Sequence, residues 1–280
     1  MASILIDNLH AGYGNLAVLH GVSMRVAAGT TVALLGTNGN GKSTLLKAIV
    51  GLVPARQGSI ALTVDGTEHR LDRLGTEAIV DLGVGMIPEG RRLFPNLSVA
   101  ENLLLGAARP TARRVLARNL DYVYATFPIL SERAGQMVGT MSGGQQQMVA
   151  IARALMTEPK LLLVDEPSVG LAPLMVRQTI EKLRELKENR HLTVLIAEQN
   201  FHETRRIADR AYVIAHGEMV LESDDMEALG EDAFIRNVYL GADHGHADDT
   251  GQPARHRTGQ HAGGTGPDRR GPTLQSYARR

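Results

Sequence analysis

Short apolar stretches separated by glycine-containing turns dominate the pattern of this chain. Val22, Met24 and Val26 alternate with polar residues, which predicts a strand with one buried face. The nearly continuous apolar runs Thr31–Leu35 and Leu161–Val164 are typical of strands that are buried on both faces. Buried strands of this kind favour an α/β fold.

The same patterns predict the remaining elements. After Gly41, apolar residues recur at helical spacing until Pro54 ends the pattern. Further predicted strands are Ser59–Val64, Thr193–Ala197, Tyr212–Ala215 and Met219–Leu221, and further predicted helices are Val99–Ala107, Arg113–Phe127 and Leu174–Glu188. Between about Pro88 and Met156 the strand signal fades, which predicts a helical subdomain inserted into the α/β core.

Composition restricts the classes of protein that fit. The chain has 280 residues and is 43% hydrophobic, enough for a substantial core. Lys and Arg together number 30, as do Asp and Glu, so no overall charge favours a nucleic-acid partner. The absence of cysteine excludes disulfides and thiol chemistry. Because no secretory signal or bilayer-length apolar run is visible, we expect any membrane role to belong to another chain.

The end of the chain differs in composition from the rest. From about Asp243 it is rich in Gly, His, Arg and Pro, and it contains almost no large apolar side chains. Such a segment cannot offset the entropy cost of ordering. We therefore expect a folded domain over residues 1–242 and a disordered tail over residues 243–280.

A glycine-rich loop between a buried strand and a helix matches the P-loop pattern. Its backbone N–H groups and the helix N-terminus favour bound phosphate. The Lys42 ammonium can reach the β- and γ-phosphates, and the Ser43 hydroxyl can bind Mg²⁺. The expected nucleotide-binding residues are Gly36, Asn38, Gly39, Asn40, Gly41, Lys42, Ser43 and Thr44. Dinucleotide binding is disfavoured because its glycine fingerprint lacks the lysine.

Two carboxylates follow the apolar strand Leu161–Val164. Ligands of α/β sheets bind at the carboxyl ends of the strands, so we expect Asp165 and Glu166 to lie beside the P-loop. Asp165 is suited to hold Mg²⁺, directly or through water. Glu166 is suited to polarise the attacking water as a general base.

The segment Met141–Gln147 (MSGGQQQ) distinguishes among P-loop proteins. Ser142 is predicted to cap a helix, with Gln145 at the capping-box position. Together with the P-loop and the acidic strand end, it resembles the signature motif of ABC ATPases. The resemblance covers about residues 4–241. It implies an α/β P-loop NTPase core with an N-terminal antiparallel β subdomain and a helical subdomain at about residues 89–157.

This resemblance also implies a pair of ATPase subunits. In the family, the signature residues clasp the γ-phosphate of a nucleotide held by the P-loop of a second subunit. Here these residues are Ser142, Gly143 and Gly144. Tyr13 matches the aromatic residue that stacks on adenine. Leu93–Pro95 matches the segment that meets the membrane subunit, and the adjacent pair Arg91 and Arg92 fits a solvated surface.

Three positions depart from the usual family pattern. Glu89 replaces the glutamine that senses Mg²⁺ and water, Gln199 replaces a histidine that contacts the γ-phosphate, and Ala172 replaces an aspartate. Glu89 can still bind Mg²⁺ or position water, and the Gln199 amide can still donate to phosphate. A regulatory subunit with little turnover is therefore an alternative.

Three segments contain these departures: Pro88–Pro95, Ser168–Pro173 and Ala197–Asn200. Together they resemble one of the two ATPase subunits of branched-chain amino-acid importers. ATPases of urea and short-chain amide importers are an alternative, and a soluble, non-transport ABC ATPase is a weaker one. The resemblance implies ATP and Mg²⁺ as cofactors and a head-to-tail pairing with a second copy or a different ATPase subunit. It further implies two transmembrane permease subunits, an indirectly coupled solute-binding protein, and a peripheral location at the cytoplasmic face of the membrane.

Overall fold

The computed structural model of this chain describes residues 1–232 and Ile235. The elements up to the second β-hairpin are β1 (Ala2–Tyr13), β2 (Leu16–Val26), β3 (Thr31–Leu35), α1 (Lys42–Ile49), β4 (Ala55–Val64) and β5 (Thr67–Arg70). They are followed by α2 (Thr76–Asp81), β6 (Val84–Ile87), α3 (Val99–Gly106), α4 (Pro110–Arg113), α5 (Leu116–Thr126), α6 (Pro128–Glu132) and α7 (Gly143–Leu155). The last are β7 (Leu161–Asp165), α8 (Pro173–Arg190), β8 (Thr193–Glu198), α9 (Phe201–Thr204), β9 (Arg210–Ala215), β10 (Glu218–Ser223) and α10 (Met226–Glu231).

Two sheets organise these elements. An antiparallel sheet has the order β2-β1-β4-β5, and a six-stranded sheet has the order β10-β9-β3-β8-β7-β6. All pairs within the larger sheet are parallel except β9 with β10. Every residue of β3, β7 and β8 is buried, as expected for parallel strands covered on both faces. The predicted α/β class with an antiparallel β subdomain is confirmed.

The register of the parallel strands brings their carboxyl ends together. Leu35 at the end of β3 lies opposite Glu198 of β8, and Asp165 of β7 lies opposite Ala197 of β8. The next strand, β6, ends at Ile87 opposite Val164. The loops that follow these four strands therefore leave the sheet at one edge, where ligands of α/β proteins bind.

Helices α3 to α7 lie in sequence between β6 and β7, where the pattern predicted only helices. The predicted helix Arg113–Phe127 is wrong at its start, because α4 ends at Arg113 and α5 begins at Leu116. Val115 between them has φ −117° and ψ 16°, which is not helical. Pro110 occupies the first turn of α4, where its missing N–H costs nothing.

The predicted folded domain extends to residue 242, so its last part beyond Asp232, apart from Ile235, lies outside the described residues. The predicted disordered tail, 243–280, lies outside them entirely. Within the described part of the chain, no helix combines the length and apolarity that a bilayer span requires.

Candidate functional site

The P-loop forms the connection between β3 and α1. Gly41 precedes the helix with φ 101°, a left-handed conformation that glycine adopts without a steric penalty. Gly36 packs so closely that a Cβ atom would lie 2.9 Å from the Ile214 carbonyl oxygen. The Asn40 side chain accepts a hydrogen bond from the His216 N–H at 2.9 Å. The loop is thus fixed against the end of β9.

The lysine of the loop is buried and fully engaged. Lys42 Nζ donates to the Gly36 carbonyl oxygen at 2.7 Å and to the Thr37 carbonyl oxygen at 3.2 Å. It also lies 2.9 Å from Oε1 of Glu166, with both side chains less than a tenth exposed. Among the described residues, Lys42 is the only buried lysine or arginine.

The predicted Mg²⁺ ligands face each other across the same edge. Ser43 Oγ donates to Oδ1 of Asp165 at 2.9 Å. Burial raises the pKa of the Asp165 carboxyl, while the hydrogen bond from Ser43 acts in the opposite direction. A hydroxyl and a buried carboxylate are oxygen donors of the kind that Mg²⁺ uses beside phosphates, so this pair fits the cation.

A cleft of about 280 Å³ opens over Lys42, Ser43 and Glu166. Its lining residues are Val18, Asn38, Gly39, Gly41, Lys42, Ser43, Thr44, Glu89 and Glu166. Glu89 is exposed and reaches the cleft from the segment after β6. The structure thus brings together most of the predicted P-loop residues, the general-base candidate and the carboxylate that replaces the usual glutamine.

Other predicted site residues lie outside the lining of this cleft. Tyr13 is 46% exposed, and its hydroxyl accepts a hydrogen bond from Thr44 Oγ1 at 3.5 Å, so its ring lies near the start of α1. Gln199 follows β8 with an exposed side chain. Its position at the same edge is compatible with a contact to bound phosphate.

The signature segment does not line the cleft of its own chain. Ser142 caps α7 with the predicted capping box: its Oγ accepts from the Gln145 N–H at 3.4 Å, and Gln145 Oε1 accepts from the Ser142 N–H at 3.1 Å. Ser142 is exposed, and Gly143 and Gly144 form the first turn of α7. The partial positive charge of this helix start favours an anion.

Glu166 has an unusual backbone conformation for its residue type. Its φ is 45°, in the left-handed region that non-glycine residues rarely adopt. Its N–H donates to the Ala197 carbonyl oxygen at 2.9 Å, and its carbonyl oxygen accepts from the Val169 N–H at 3.3 Å. Bonds to β8 and to the following loop therefore hold this conformation in place.

Glu198 is a candidate functional residue that the sequence patterns missed. It is 1% exposed at the end of β8 and accepts hydrogen bonds from Ser168 and from the N–H of Gln199. A carboxylate directly after a buried apolar strand was the available signal, since Asp165 was recognised by the same feature.

Arg91 is not part of a solvated pair as expected. Its Nε donates to Oε1 of the buried Gln147 at 3.2 Å, and its carbonyl oxygen accepts from the Arg153 guanidinium at 3.0 Å. A Cβ placed on Gly143 would lie 3.4 Å from its guanidinium. Arg92 is exposed, as predicted. Arg91 thus connects the segment after Glu89 to the signature helix.

Comparison with known proteins identifies the family. Residues 19–169 match the ABC transporter family. The high-affinity branched-chain amino acid transport ATP-binding protein BraG of Pseudomonas aeruginosa is 43% identical over 235 residues, covering 84% of this chain and 98% of BraG. The chain belongs to the ABC transporter ATP-binding proteins. As a member of this family it is an ATPase that binds nucleotide.

Other ABC proteins share the sequence and the fold. A probable branched-chain amino acid transport ATP-binding protein, LivF of Archaeoglobus fulgidus, is 33% identical, and the match covers 81% of this chain and 94% of LivF. The lipopolysaccharide export system ATP-binding protein LptB of Escherichia coli K12 is 34% identical, and the match covers 87% of this chain and 99% of LptB. The ADP conformation of MJ1267, an ATP-binding cassette of an ABC transporter, superimposes with a TM-score of 0.73 at 25% identity, covering 86% of this chain and all of MJ1267.

Proposed function

We propose that this ABC ATPase powers the import of branched-chain amino acids through separate membrane subunits. The identity of 43% to BraG over almost the whole length of that protein is the observation that carries the proposal. LivF, named for the same class of solute, supports it at lower identity. LptB, which is named for lipopolysaccharide export, is 34% identical, about as similar as LivF. The transported solute must therefore be measured directly.

In the proposed reaction, the P-loop N–H groups hold the phosphates of ATP, and Lys42 leaves Glu166 to reach the β- and γ-phosphates. Ser43 and Asp165, with Glu89 nearby, would hold Mg²⁺, which neutralises phosphate charge when bound. Glu166, released from the ion pair, accepts a proton from the attacking water. Gln199 donates its amide N–H to the γ-phosphate, in place of a histidine.

Catalysis in this scheme needs a second ATPase subunit. Ser142, Gly143 and Gly144 lie outside the cleft of their own chain, while Ser142 is exposed at a capped helix start. A head-to-tail pair would place this helix start against the γ-phosphate of the partner. The pairing subunit is either a second copy or a different ATPase.

An apolar groove offers a contact for a membrane subunit. It has a volume of about 290 Å³ and is lined in part by Met86, Phe94 and Leu105. Phe94 is 51% exposed and Leu105 is 43% exposed, which is costly for large apolar side chains that share a groove. We assign this groove to a cytoplasmic helix of a permease subunit, consistent with the resemblance of Leu93–Pro95. Peripheral attachment to the cytoplasmic face of the membrane follows from this assignment.

The test is reconstitution with the permease subunits and the solute-binding protein of the proposed importer. Vesicles containing the complex should take up labelled leucine, isoleucine or valine when ATP is supplied on the side of the ATPase. The Glu166→Gln variant controls for leak, because it should bind ATP without sustaining uptake. Uptake of urea or a short-chain amide, with none of leucine, would instead establish the alternative importer class. ATP turnover without any membrane partner in the purified complex would favour a soluble ABC ATPase.

A further inference from the structure

The buried carboxylate of Glu198 joins two loops of the candidate site. Its Oε1 accepts from the Ser168 N–H at 3.0 Å. Its Oε2 accepts from Ser168 Oγ at 2.9 Å, from the Gln199 N–H at 3.1 Å and from the Asn200 N–H at 3.5 Å. The loop after Glu166 and the loop after β8 therefore share one carboxylate.

The first of these loops leads away from the general-base candidate toward the surface. Ser168 lies two residues after Glu166, and Val169 is 49% exposed. Glu166 itself has φ 45°, a conformation that persists only where neighbouring contacts enforce it. Holding Ser168 is one such contact, because it fixes where the chain goes after Glu166.

The second loop carries Gln199, the residue proposed to contact the γ-phosphate. Since its backbone N–H is bound to the same carboxylate as Ser168, a shift of one loop must be accommodated by the other or break a hydrogen bond to the buried Glu198 carboxylate. Breaking such a bond leaves a desolvated polar group unpaired, which opposes independent movement of the two loops.

Resting on the proposed ATPase mechanism, we propose that Glu198 is a positioning residue that couples Gln199 to the loop 168–171. It holds the backbone of Glu166 in its left-handed conformation and transmits phosphate contact at Gln199 to the exposed loop. Glu198 does not touch the phosphates itself.

The geometry makes Glu198→Gln a sharp test. An amide keeps the volume but presents a hydrogen-bond donor at one of its two terminal positions. In one orientation that donor faces the Ser168 N–H, and in the other it faces the Gln199 N–H. The variant must therefore lose at least one hydrogen bond from a backbone N–H, of Ser168 or of Gln199, whichever way its amide turns.

Steady-state hydrolysis by the reconstituted complex measures the consequence. We expect Glu198→Gln to lower kcat on the order of 10- to 100-fold, because small displacements of reacting groups carry costs of this size. KM for ATP should change by no more than about threefold, since the P-loop is untouched. Ser168→Ala removes only the hydroxyl donor and should lower kcat less. The double variant Ser168→Ala/Glu198→Gln should lose less than the product of the two single effects.

Thr193→Val is the matched control at the other end of β8. Thr193 is fully buried, and its Oγ1 accepts from the Gly29 N–H at 2.9 Å and donates to the Ala2 carbonyl oxygen. Its loss should reduce stability while leaving kcat near the wild-type value. An equal fall of kcat in both variants would show a general effect of damaging β8 and would overturn the proposal.

A spectroscopic readout follows the coupling directly. Because the chain contains no tryptophan, Val169→Trp introduces a single tryptophan, whose emission is excited selectively over that of the six tyrosines and reports on the exposed loop. ATP should change this emission in the otherwise wild-type protein and should fail to do so when Glu198→Gln is added. Wild-type kcat in Glu198→Gln, or an unchanged ATP response of the reporter, would overturn the inference and leave the ATPase assignment intact. Absence of hydrolysis by the wild-type complex would instead refute the proposed function on which it rests.

Discussion

Lys42 and Glu166 form a buried ion pair across the candidate site, with Nζ 2.9 Å from Oε1. The pair joins the residue proposed to bind the β- and γ-phosphates to the residue proposed to activate water. In this arrangement Lys42 is bound to Glu166 and not to phosphate, and Glu166 is bound to Lys42 and not to water. ATP must therefore compete with Glu166 for the lysine, and its binding should release Glu166 at the moment when a base is needed.

Glu166→Gln should separate binding from turnover. The amide cannot accept the proton from water, so kcat should fall roughly 10²- to 10⁴-fold, the usual contribution of a general base. ATP affinity should not fall, because a neutral amide competes less strongly for Lys42. Fluorescent-nucleotide titration and phosphate release measure the two quantities. Unchanged turnover would exclude Glu166 as the base.

Lys42→Met should destabilise the nucleotide-free protein as well as weaken ATP binding. It leaves Glu166 buried without its cation, which typically costs about 3–5 kcal/mol of unfolding free energy. Adding Glu166→Gln should recover part of this loss, because no charge is then left unpaired. Urea denaturation of the two single variants and the double variant measures the coupling. Strictly additive losses would show that the ion pair does not contribute to the folded state.

Tyr13 is predicted to stack on the adenine ring. Tyr13→Ala should weaken ATP binding by about 1–3 kcal/mol, the usual range for base stacking on an aromatic side chain. Tyr13→Phe keeps the ring and loses only the hydroxyl contact with Thr44, so it should bind nearly as well as the wild type. The two variants are compared by nucleotide titration. Equal weakening in both would assign the effect to the hydroxyl instead.

Glu198 should make stability depend on pH in a defined direction. Burial raises the pKa of its carboxyl, although hydrogen bonds from Ser168, Asn200 and Gln199 act against this. The stability that this raised pKa contributes is fully present below the pKa of the carboxyl in the unfolded chain, about 4.3. It is lost as pH rises through the pKa of the carboxyl in the folded protein. Because Glu198→Gln does not titrate there, its unfolding free energy relative to the wild type should increase with pH. Urea denaturation across that range measures the trend.

Asp72 supplies the control for this pH experiment. Burial opposes its ionisation, but hydrogen bonds from the Arg70 guanidinium and the Ile60 N–H outweigh it and lower the pKa of the carboxyl. The stability that this lowered pKa contributes is present above the pKa of the carboxyl in the unfolded chain. It is lost as pH falls through the pKa of the carboxyl in the folded protein. Asp72→Asn should therefore lose stability relative to the wild type as pH rises. Trends of the same sign for both variants would contradict the assignment of these shifts.

Arg91 should matter for turnover, and Arg92 should not. Arg91 and Arg92 have φ 65° and 47°, in the left-handed region that non-glycine residues rarely adopt, so neighbouring contacts must hold the segment after Glu89. Arg91→Ala removes the bond to Gln147 and should lower turnover by about tenfold through displacement of Glu89 and the signature helix. Arg92→Ala is the matched exposed control, with an expected stability change within about 0.5 kcal/mol. Equal hydrolysis by both variants would refute the role of Arg91.

Local sequence was sufficient for the features whose information lies within a few residues. The P-loop, the two carboxylates that follow Val164 and the capping box of Ser142 are each defined by short spacing, and so are the buried runs of β3 and β8. Strand β1 was missed because register shifts after Ile6 interrupt its alternation. Strand β6 was missed because it has only four residues and no distinctive turn beside it.

The amino-acid pattern was enough to predict a phosphate-binding loop, an acidic strand end and a capped signature helix in one α/β chain. Which of these groups are in contact became visible only in the folded chain. The order β3-β8-β7-β6 and its register place Lys42 against Glu166, Glu198 between two loops, and Arg91 against Gln147. The paired residues Lys42 and Glu166, and Arg91 and Gln147, lie far apart along the chain. Their contact therefore depends on which strands become neighbours in the sheet, and local spacing carries no record of that choice.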